Sequence, residues 1–240
     1  AEQLDFDAVA TGHHARVSRV RGRGWTLERG ADPAKDQSYV VHMLDQADLA
    51  RTLFPVGHID KAEVRRLAAE MGLRTATKPD SQDVCFITST GGRATFLGDR
   101  IPFRPGAVVD QAGDEVGRVD AVEMVTVGQR RGIGLPGGGP KRYVVDVDVP
   151  AARVTVGAEH DLAVDGLEVT DLTWVDEPVT GPVRVQCSAH GDTQMAHLTP
   201  FDDRAEVAWN EPQRIVAPGQ SVVFYDLDDR YVLGGGLAAR

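Results

Sequence analysis

The chain has 240 residues, of which 42% are hydrophobic and 26% charged, and 26 Lys+Arg stand against 36 Asp+Glu for a formal net charge of −10. That composition excludes a disordered or collagen-like chain. No apolar run approaches the ~18 residues that cross a bilayer, and two cysteines, Cys85 and Cys187, are too few for a disulfide scaffold.

Residues 1 to about 92 read as mixed α/β. Phe6–Ala10 reads as a short buried strand ending at Thr11-Gly12. Val17–Val20 and Trp25–Glu28 flank Arg21-Gly22-Arg23-Gly24, a hairpin signal. Asp36 starts a predicted helical stretch over Gln37–Leu44, continued by Asp45–Leu53 with Leu49 and Leu53 four apart. The clearest helix is Lys61–Met71. Asp60 is its N-cap, Glu63 sits at the capping-box position, and Val64, Leu67, Ala68 and Met71 form one apolar face before the stop at Gly72. Thr75–Pro79 reads as extended chain leading to Asp80–Ile87. From Ile101 onward Pro and Gly punctuate short strands, at Ala107–Val109, Glu115–Val119 and Val145–Val149. From Leu162 to Leu237 strands recur at the spacing of a small β-barrel, among them Val183–Cys187, Ala205–Trp209, Ser221–Tyr225 and Arg230–Leu233.

Charge is uneven. Tyr143–Arg240 holds six Lys+Arg and seventeen Asp+Glu, a balance of −11, whereas residues 1–142 hold 20 and 19, a balance of +1. An acidic total argues against bulk nucleic-acid binding but leaves room for local basic grooves. Arg16, Arg19, Arg21 and Arg23 form one cluster; Arg130, Arg131, Lys141 and Arg142 form another, and Gly128-Gln129-Arg130-Arg131-Gly132 can set two guanidiniums on a phosphate track or serve as a plain hairpin.

Cys85 lies between a polar loop and apolar Phe86-Ile87, a place both reachable and rigid, so it is a candidate nucleophile or persulfide carrier. The alternative is a small buried hydrophobe, and nearby Asp80 and Asp83 work against its thiolate. Cys187 alternates with Val183 and Val185 and reads as core. Gly12 after a strand permits close approach of a ligand, with His13 and His14 beside it. Lys35-Asp36-Gln37 at the expected helix start offers an anion site and a base-reading amide, or simple capping. There is no Gly-x-x-x-x-Gly-Lys-Ser/Thr motif, no Gly-x-Gly-x-x-Gly after a strand and no His-Glu-x-x-His.

Ala10-Thr11-Gly12-His13, Lys35-Asp36-Gln37-Ser38-Tyr39, Phe54-Pro55-Val56-Gly57, Lys78-Pro79-Asp80-Ser81, Val84-Cys85-Phe86-Ile87, Thr126–Gly134, Pro218-Gly219-Gln220 and Leu233–Gly236, in this order, resemble the tRNA-specific 2-thiouridylases over essentially the whole chain. The resemblance implies an α/β plus β fold. The C-terminal half of a PP-loop (adenine nucleotide alpha hydrolase-like) domain would span 1–92, a small central β domain 93–158 and a C-terminal β-barrel 159–240. It implies a tRNA-uridine 2-sulfurtransferase that uses ATP with magnesium and receives sulfur from a sulfur-carrier protein; the cysteine usage reads as a reducing cytoplasm, and no membrane partner and no metal cluster are expected.

By motif match Cys85 bears the persulfide, Gly12 contacts ATP, and His13, Lys35, Asp36, Gln37 and Gln220 contact tRNA. The family's Ser-Gly-Gly-x-Asp-Ser loop is not in this sequence, and the family's second cysteine is expected upstream, so the chain reads as a piece lacking about a hundred residues before Ala1. An Arg-Tyr pair common in the family is absent around Ser188-Ala189-His190, and Asp83 stands where Gly is common. Two other readings are a non-catalytic RNA-binding module with a structural cysteine and another PP-loop ligase.

Overall fold

The computed structural model describes residues 5–78, 92–137 and 139–239. The first elements are β1 (Val9–Ala10), β2 (Ala15–Val20), β3 (Gly24–Arg29), α1 (Gln46–Leu49), β4 (Thr52–Leu53) and α2 (Lys61–Glu70). There follow α3 (Gly92–Gly98), β5 (Gly106–Val109), β6 (Glu115–Val119), β7 (Tyr143–Asp148) and β8 (Arg153–Gly157). The last are β9 (Ala163–Trp174), β10 (Gly181–Gln186), β11 (Gln194–Phe201), β12 (Arg204–Arg214), β13 (Ser221–Tyr225) and β14 (Tyr231–Ala238). They form two compact units: residues 1–78 with 165–212 and 218–240, and residues 79–164 with 213–217.

The first unit is built on a closed six-stranded barrel, with strands in the circuit β9-β12-β11-β10-β13-β14 and back to β9. Period-two burial specifies it. Ala205, Val207 and Trp209 of β12 are buried while the residues between them are exposed, and Val183 and Val185 of β10 and Ala196 and Leu198 of β11 are buried likewise. β13 differs, because Val222, Val223, Phe224 and Tyr225 are all buried. Val223 and Tyr225 join a second core outside the barrel, with Ala15, Leu27, Tyr39, Val41, Leu49 and Phe54. A strand covered on both faces reads as a continuous apolar run. β14 pairs with both β13 and β9, and its glycines are required by close approach: a Cβ on Gly235 would stand 2.5 Å from His42 Cδ2 and 2.7 Å from the Val222 oxygen.

The predicted hairpin forms as β2–β3, with Val20 opposite Gly24. It packs with the N-terminal elements and also joins the barrel sheet. β3 pairs with β14, Glu28 opposite Tyr231 and Leu27 opposite Val232, so the hairpin extends the barrel sheet. Gln46 fastens it, accepting from the Trp25 N–H at 2.9 Å and donating to the Trp25 and Val175 carbonyls at 2.6 and 2.7 Å.

Several local expectations are corrected. Gln37–Leu44 is a series of turns after a short 3-10 helix at Pro33–Lys35. Tyr39 and Val41, two apart, both enter the core, and the Tyr39 hydroxyl donates to the Ser221 carbonyl at 2.8 Å. Tertiary packing thus replaces helix hydrogen bonds. Leu53 belongs to β4 and is exposed, while Leu49 ends α1 and is buried. β1 is only two residues long, pairs in parallel with β4, and leaves Phe6 and Val9 exposed. α2 forms with its Asp60 cap bonded to the Glu63 N–H at 2.8 Å and Gly72 at φ +68°. Its apolar face is only half-buried, and Met71 is exposed. Residues 75–78 are turns rather than extended chain.

The second unit has a four-stranded sheet in the order β6-β5-β8-β7, with β5 and β8 parallel. Val108, Val119, Val122, Ile133, Val144, Val154 and Val156 form its core.

Candidate functional site

The sequence-predicted residues of the first unit converge on the turns that follow β1 and β3. β1 delivers Thr11–His14. Gly12 is exposed, and a Cβ there would meet nothing within 4 Å. The His13 Nδ1 lies 2.8 Å from the Thr11 hydroxyl, and its ring stands edge-on to Phe54 with centroids 5.8 Å apart. Gln37 grips the backbone of His14 from both sides, accepting its N–H on Oε1 at 2.9 Å and donating its own N–H to the His14 carbonyl at 2.9 Å. The Phe54–Gly57 turn presses on the same segment: a Cβ on Gly57 would stand 1.7 Å from the Ala15 oxygen, so only glycine fits.

Lys35 is exposed. Asp36 is not: its side chain is 7% exposed and wholly engaged. Oδ1 accepts from the N–H groups of Gly30 at 2.7 Å and Ser38 at 3.2 Å, and Oδ2 accepts from the Ser38 hydroxyl at 2.7 Å and the Arg29 guanidinium at 2.7 Å. A carboxylate so occupied folds its loop; it has little left for a ligand.

Arg29 is the hub that the sequence reading missed. Besides Asp36 it donates to Asp229 Oδ1 at 2.7 Å and Gln186 Oε1 at 3.0 Å, and its guanidinium carbon lies 3.9 Å from the centroid of the Tyr225 ring. Tyr225, in turn, meets the Ser38 hydroxyl at 3.0 Å. An Arg that ends a strand carries no local mark of this role, since two of its partners are about 150 to 200 positions away. The hub also borders a cleft of about 600 Å³ lined by Arg29, Asp36, Arg184, His190 and Asp229. Gln220 is exposed on the Pro218-Gly219-Gln220 turn. The Tyr39–Ser221 bond ties its neighbour to the loop that carries Gln37. His13 and Lys35–Gln37 thus lie on turns joined by the Gln37–His14 bonds, and Gln220 precedes the residue that Tyr39 holds, whereas Cys85 lies outside the described residues.

Two titrations fit this packing. Burial pushes the Tyr39 phenol up to about 12, with the Cys187 thiol nearby adding to the effect. Burial also pushes the half-buried Cys187 thiol up to about 12, so it stays protonated at neutral pH, as a core cysteine should. Among the described residues no group of three or more His, Cys, Asp or Glu is placed to hold a metal ion.

Residues 1–89 match a family model described as the tRNA methyl transferase HUP domain, residues 94–158 the tRNA methyl transferase PRC-barrel domain, and residues 164–238 the aminomethyltransferase beta-barrel domain. The tRNA-specific 2-thiouridylase MnmA of Symbiobacterium thermophilum is 44% identical over 250 residues, covering 100% of this chain and 63% of that protein. The protein of the same name from Chloroflexus aggregans is 45% identical over 246 residues, with 100% and 67% covered. That from Acidothermus cellulolyticus is 44% identical over 243 residues, with 99% and 66% covered. The chain belongs to the tRNA-specific 2-thiouridylase family. It spans about 63 to 67% of the length of these three relatives. A HUP domain, a PRC-barrel middle domain and a C-terminal barrel are the family's parts in this chain.

Proposed function

We propose that this protein is a tRNA-uridine 2-sulfurtransferase that thiolates C2 of the wobble uridine with ATP and a cysteine persulfide. One observation carries the reading: identity of 40–45% along 98–100% of the chain to relatives named tRNA-specific 2-thiouridylase. The family-model descriptions carry the words methyl transferase, but the relatives matched along the whole chain do not, and we follow them. Residues 1–92 are read as the C-terminal part of a PP-loop domain, 93–158 as the central β domain and 159–240 as the barrel. No described helix is long and apolar enough to cross a membrane, and we place the activity in the cytoplasm.

ATP, with magnesium, is the co-substrate: its adenylyl group turns the C2 oxygen into a leaving group. Gly12 suits contact with it, being exposed, free of a Cβ and open to 4 Å, at the C-terminal end of a parallel strand where α/β sheets take such ligands. The chain's own chemistry then follows. Cys85 carries a terminal sulfur handed on by a sulfur-carrier protein. That sulfur attacks C2, and AMP departs with the former C2 oxygen. A second thiol cleaves the S–S bond, leaving sulfur on C2 and Cys85 in a disulfide with that thiol. Cys187 does not suit the second role, because its burial opposes the thiolate.

The base must leave the anticodon stack to reach this chemistry, so the RNA has to be held firmly. Lys35 offers its ammonium to a phosphate, and His13, Gln37 and Gln220 offer polar contacts. Asp36 holds Lys35 and Gln37 in position through Arg29 and the Gly30 and Ser38 amides.

The test is Cys85→Ser, with nucleosides of the reacted tRNA resolved by mass spectrometry. 2-Thiouridine should vanish while the tRNA dissociation constant stays within about twofold. Undiminished 2-thiouridine would remove Cys85 from the mechanism.

A further inference from the structure

The second unit holds its basic side chains in two states. Arg104 pairs with Glu123 at 2.9 Å, Arg118 with Glu115 at 2.8 Å and Arg153 with Asp148 at 3.6 Å. Arg130, Arg131, Lys141 and Arg142 meet no carboxylate among the described residues. Arg214 joins them: it donates to the Gly128 carbonyl at 2.8 Å, and its guanidinium lies 5.6 Å from the Tyr143 ring centroid.

The frame that carries these cations is stiff. The Gly128 N–H donates to the Val144 carbonyl at 2.7 Å, and the Val144 N–H to the Gln129 carbonyl at 2.9 Å. The chain running on into Arg130-Arg131 therefore lies alongside the chain entering β7 from Lys141-Arg142. Gln129 staples the turn, accepting from the Thr126 N–H at 3.1 Å and donating to the Arg131 carbonyl at 2.8 Å. Ile133, 3% exposed, plugs the loop into the core. Gly134, at φ +67°, presses so closely on β6 that a Cβ would stand 1.6 Å from the Arg118 oxygen. Arg130 and Arg131 are exposed on this frame.

Gathering like charges without counter-ions costs self-repulsion, and a rigid loop cannot relieve it by spreading. A polyanion can. Guanidiniums on an open surface match phosphate oxygens in forked geometry, and contacts of that kind position a nucleic acid without reading its sequence. We propose that Arg130, Arg131, Lys141, Arg142 and Arg214 form a platform for the sugar-phosphate backbone of the tRNA, separate from the loops assigned above to His13, Lys35, Gln37 and Gln220. The proposal rests on the tRNA reading and adds a second contact region on the second compact unit.

The experiment is fluorescence anisotropy of a labelled tRNA transcript against the protein from 50 to 300 mM salt. Each phosphate contact contributes roughly 0.7–0.9 to the slope of log K against log salt. R130A/R131A should therefore lower the slope by about 1.5 and weaken binding about tenfold at 100 mM salt, and R130K/R131K should restore both. R118A removes one charge that is already paired in the same unit and should leave the slope unchanged. An unchanged slope in R130A/R131A, or an equal loss in R118A, overturns the platform. So does a loss of polyglutamate binding in R130A/R131A with the tRNA slope intact, which would point to an acidic protein partner. Those outcomes leave the thiolation reading standing, because Cys85→Ser tests that reading without touching the slope. Failure of the wild-type protein to bind tRNA at 50 mM salt overturns both.

Discussion

Replacing Asp36 by Asn tests whether the loop at 35–37 is held by charge or by shape. Asn keeps an oxygen for the Gly30 and Ser38 amides but sets an NH2 donor where Oδ2 accepts from Arg29, so that bond, 2.7 Å long between side chains 20% and 7% exposed, is lost. Breaking a buried pair costs about 3–5 kcal/mol. The cost here is smaller, because Arg29 keeps Asp229 at 2.7 Å and is partly solvated. We expect about 1.5–2 kcal/mol, the size of one charge-assisted hydrogen bond. Arg29→Met strands the Asp36 carboxylate with no counter-charge and should cost about 3 kcal/mol. The double variant should then show a coupling near 1.5 kcal/mol. Trp25, Trp174 and Trp209 all lie in the first unit, so urea unfolding followed by tryptophan fluorescence reports that unit alone. On the proposed function, both single variants should also weaken tRNA binding by similar factors, since both act through the same loop. A coupling below about 0.5 kcal/mol, within ordinary additivity, would refute the reasoning, and the loop would then be held by its backbone bonds.

Two glycines should respond oppositely to alanine. Gly235→Ala drives a Cβ into His42 and the Val222 oxygen on a strand paired along both edges and should cost about 2–3 kcal/mol, lowering the melting temperature by about 5–10 °C. Gly12→Ala meets nothing within 4 Å and should leave stability within about 0.5 kcal/mol while reducing ATP binding; equal melting shifts in the two variants would contradict this. Burial holds the His42 imidazole below its ordinary value, with the bond to the Tyr39 carbonyl offsetting part of the effect. The unfolded chain therefore takes up the proton first. His42 contributes its full stability above pH ~6.5 and loses it as pH falls toward the lower folded value. The urea midpoint should drop from pH 7.5 to 5.5 and drop less in His42→Gln; identical pH dependence in the two proteins would exclude His42 as the source.

Where a residue's partners are close in sequence, the structure follows the pattern. Asp60 and Gly72 bound α2 as cap and stop signals should, Arg21–Gly24 turns the hairpin, and the recurrence after Leu162 closes into a barrel. Errors appear where a distant partner decides. Gln37–Leu44 carries helix-compatible residues, yet Asp36 turns back to Gly30 and Tyr39 reaches Ser221, 182 positions on. The pairing of β3 with β14 is set some 200 residues away, so no local window reveals it. Motif order marked the loop residues His13, Lys35, Asp36, Gln37 and Gln220, although Asp36 spends its oxygens on its own loop. It did not mark Arg29, Gln186, Tyr225 or Asp229, because nothing in the sequence near each of them indicates that they meet.

That asymmetry has a physical consequence for the site. β13 is apolar at four successive positions because one face fills the barrel and the other receives Tyr39, Val41, Leu49 and Phe54. The turns at 33–44 therefore owe their shape to the barrel wall, through Tyr225, Ser221, Gln186 and Asp229, as much as to their own sequence. A loop held this way keeps Lys35 exposed while its neighbour Asp36 is fully bonded, and on the proposed function it would preorganise the Lys35 ammonium for phosphate. Changes in β13 or at Asp229 should then reach the loop through these bonds. A Tyr225→Phe variant isolates this, because it removes only the hydroxyl bonded to Ser38 and leaves the ring under Arg29 in place.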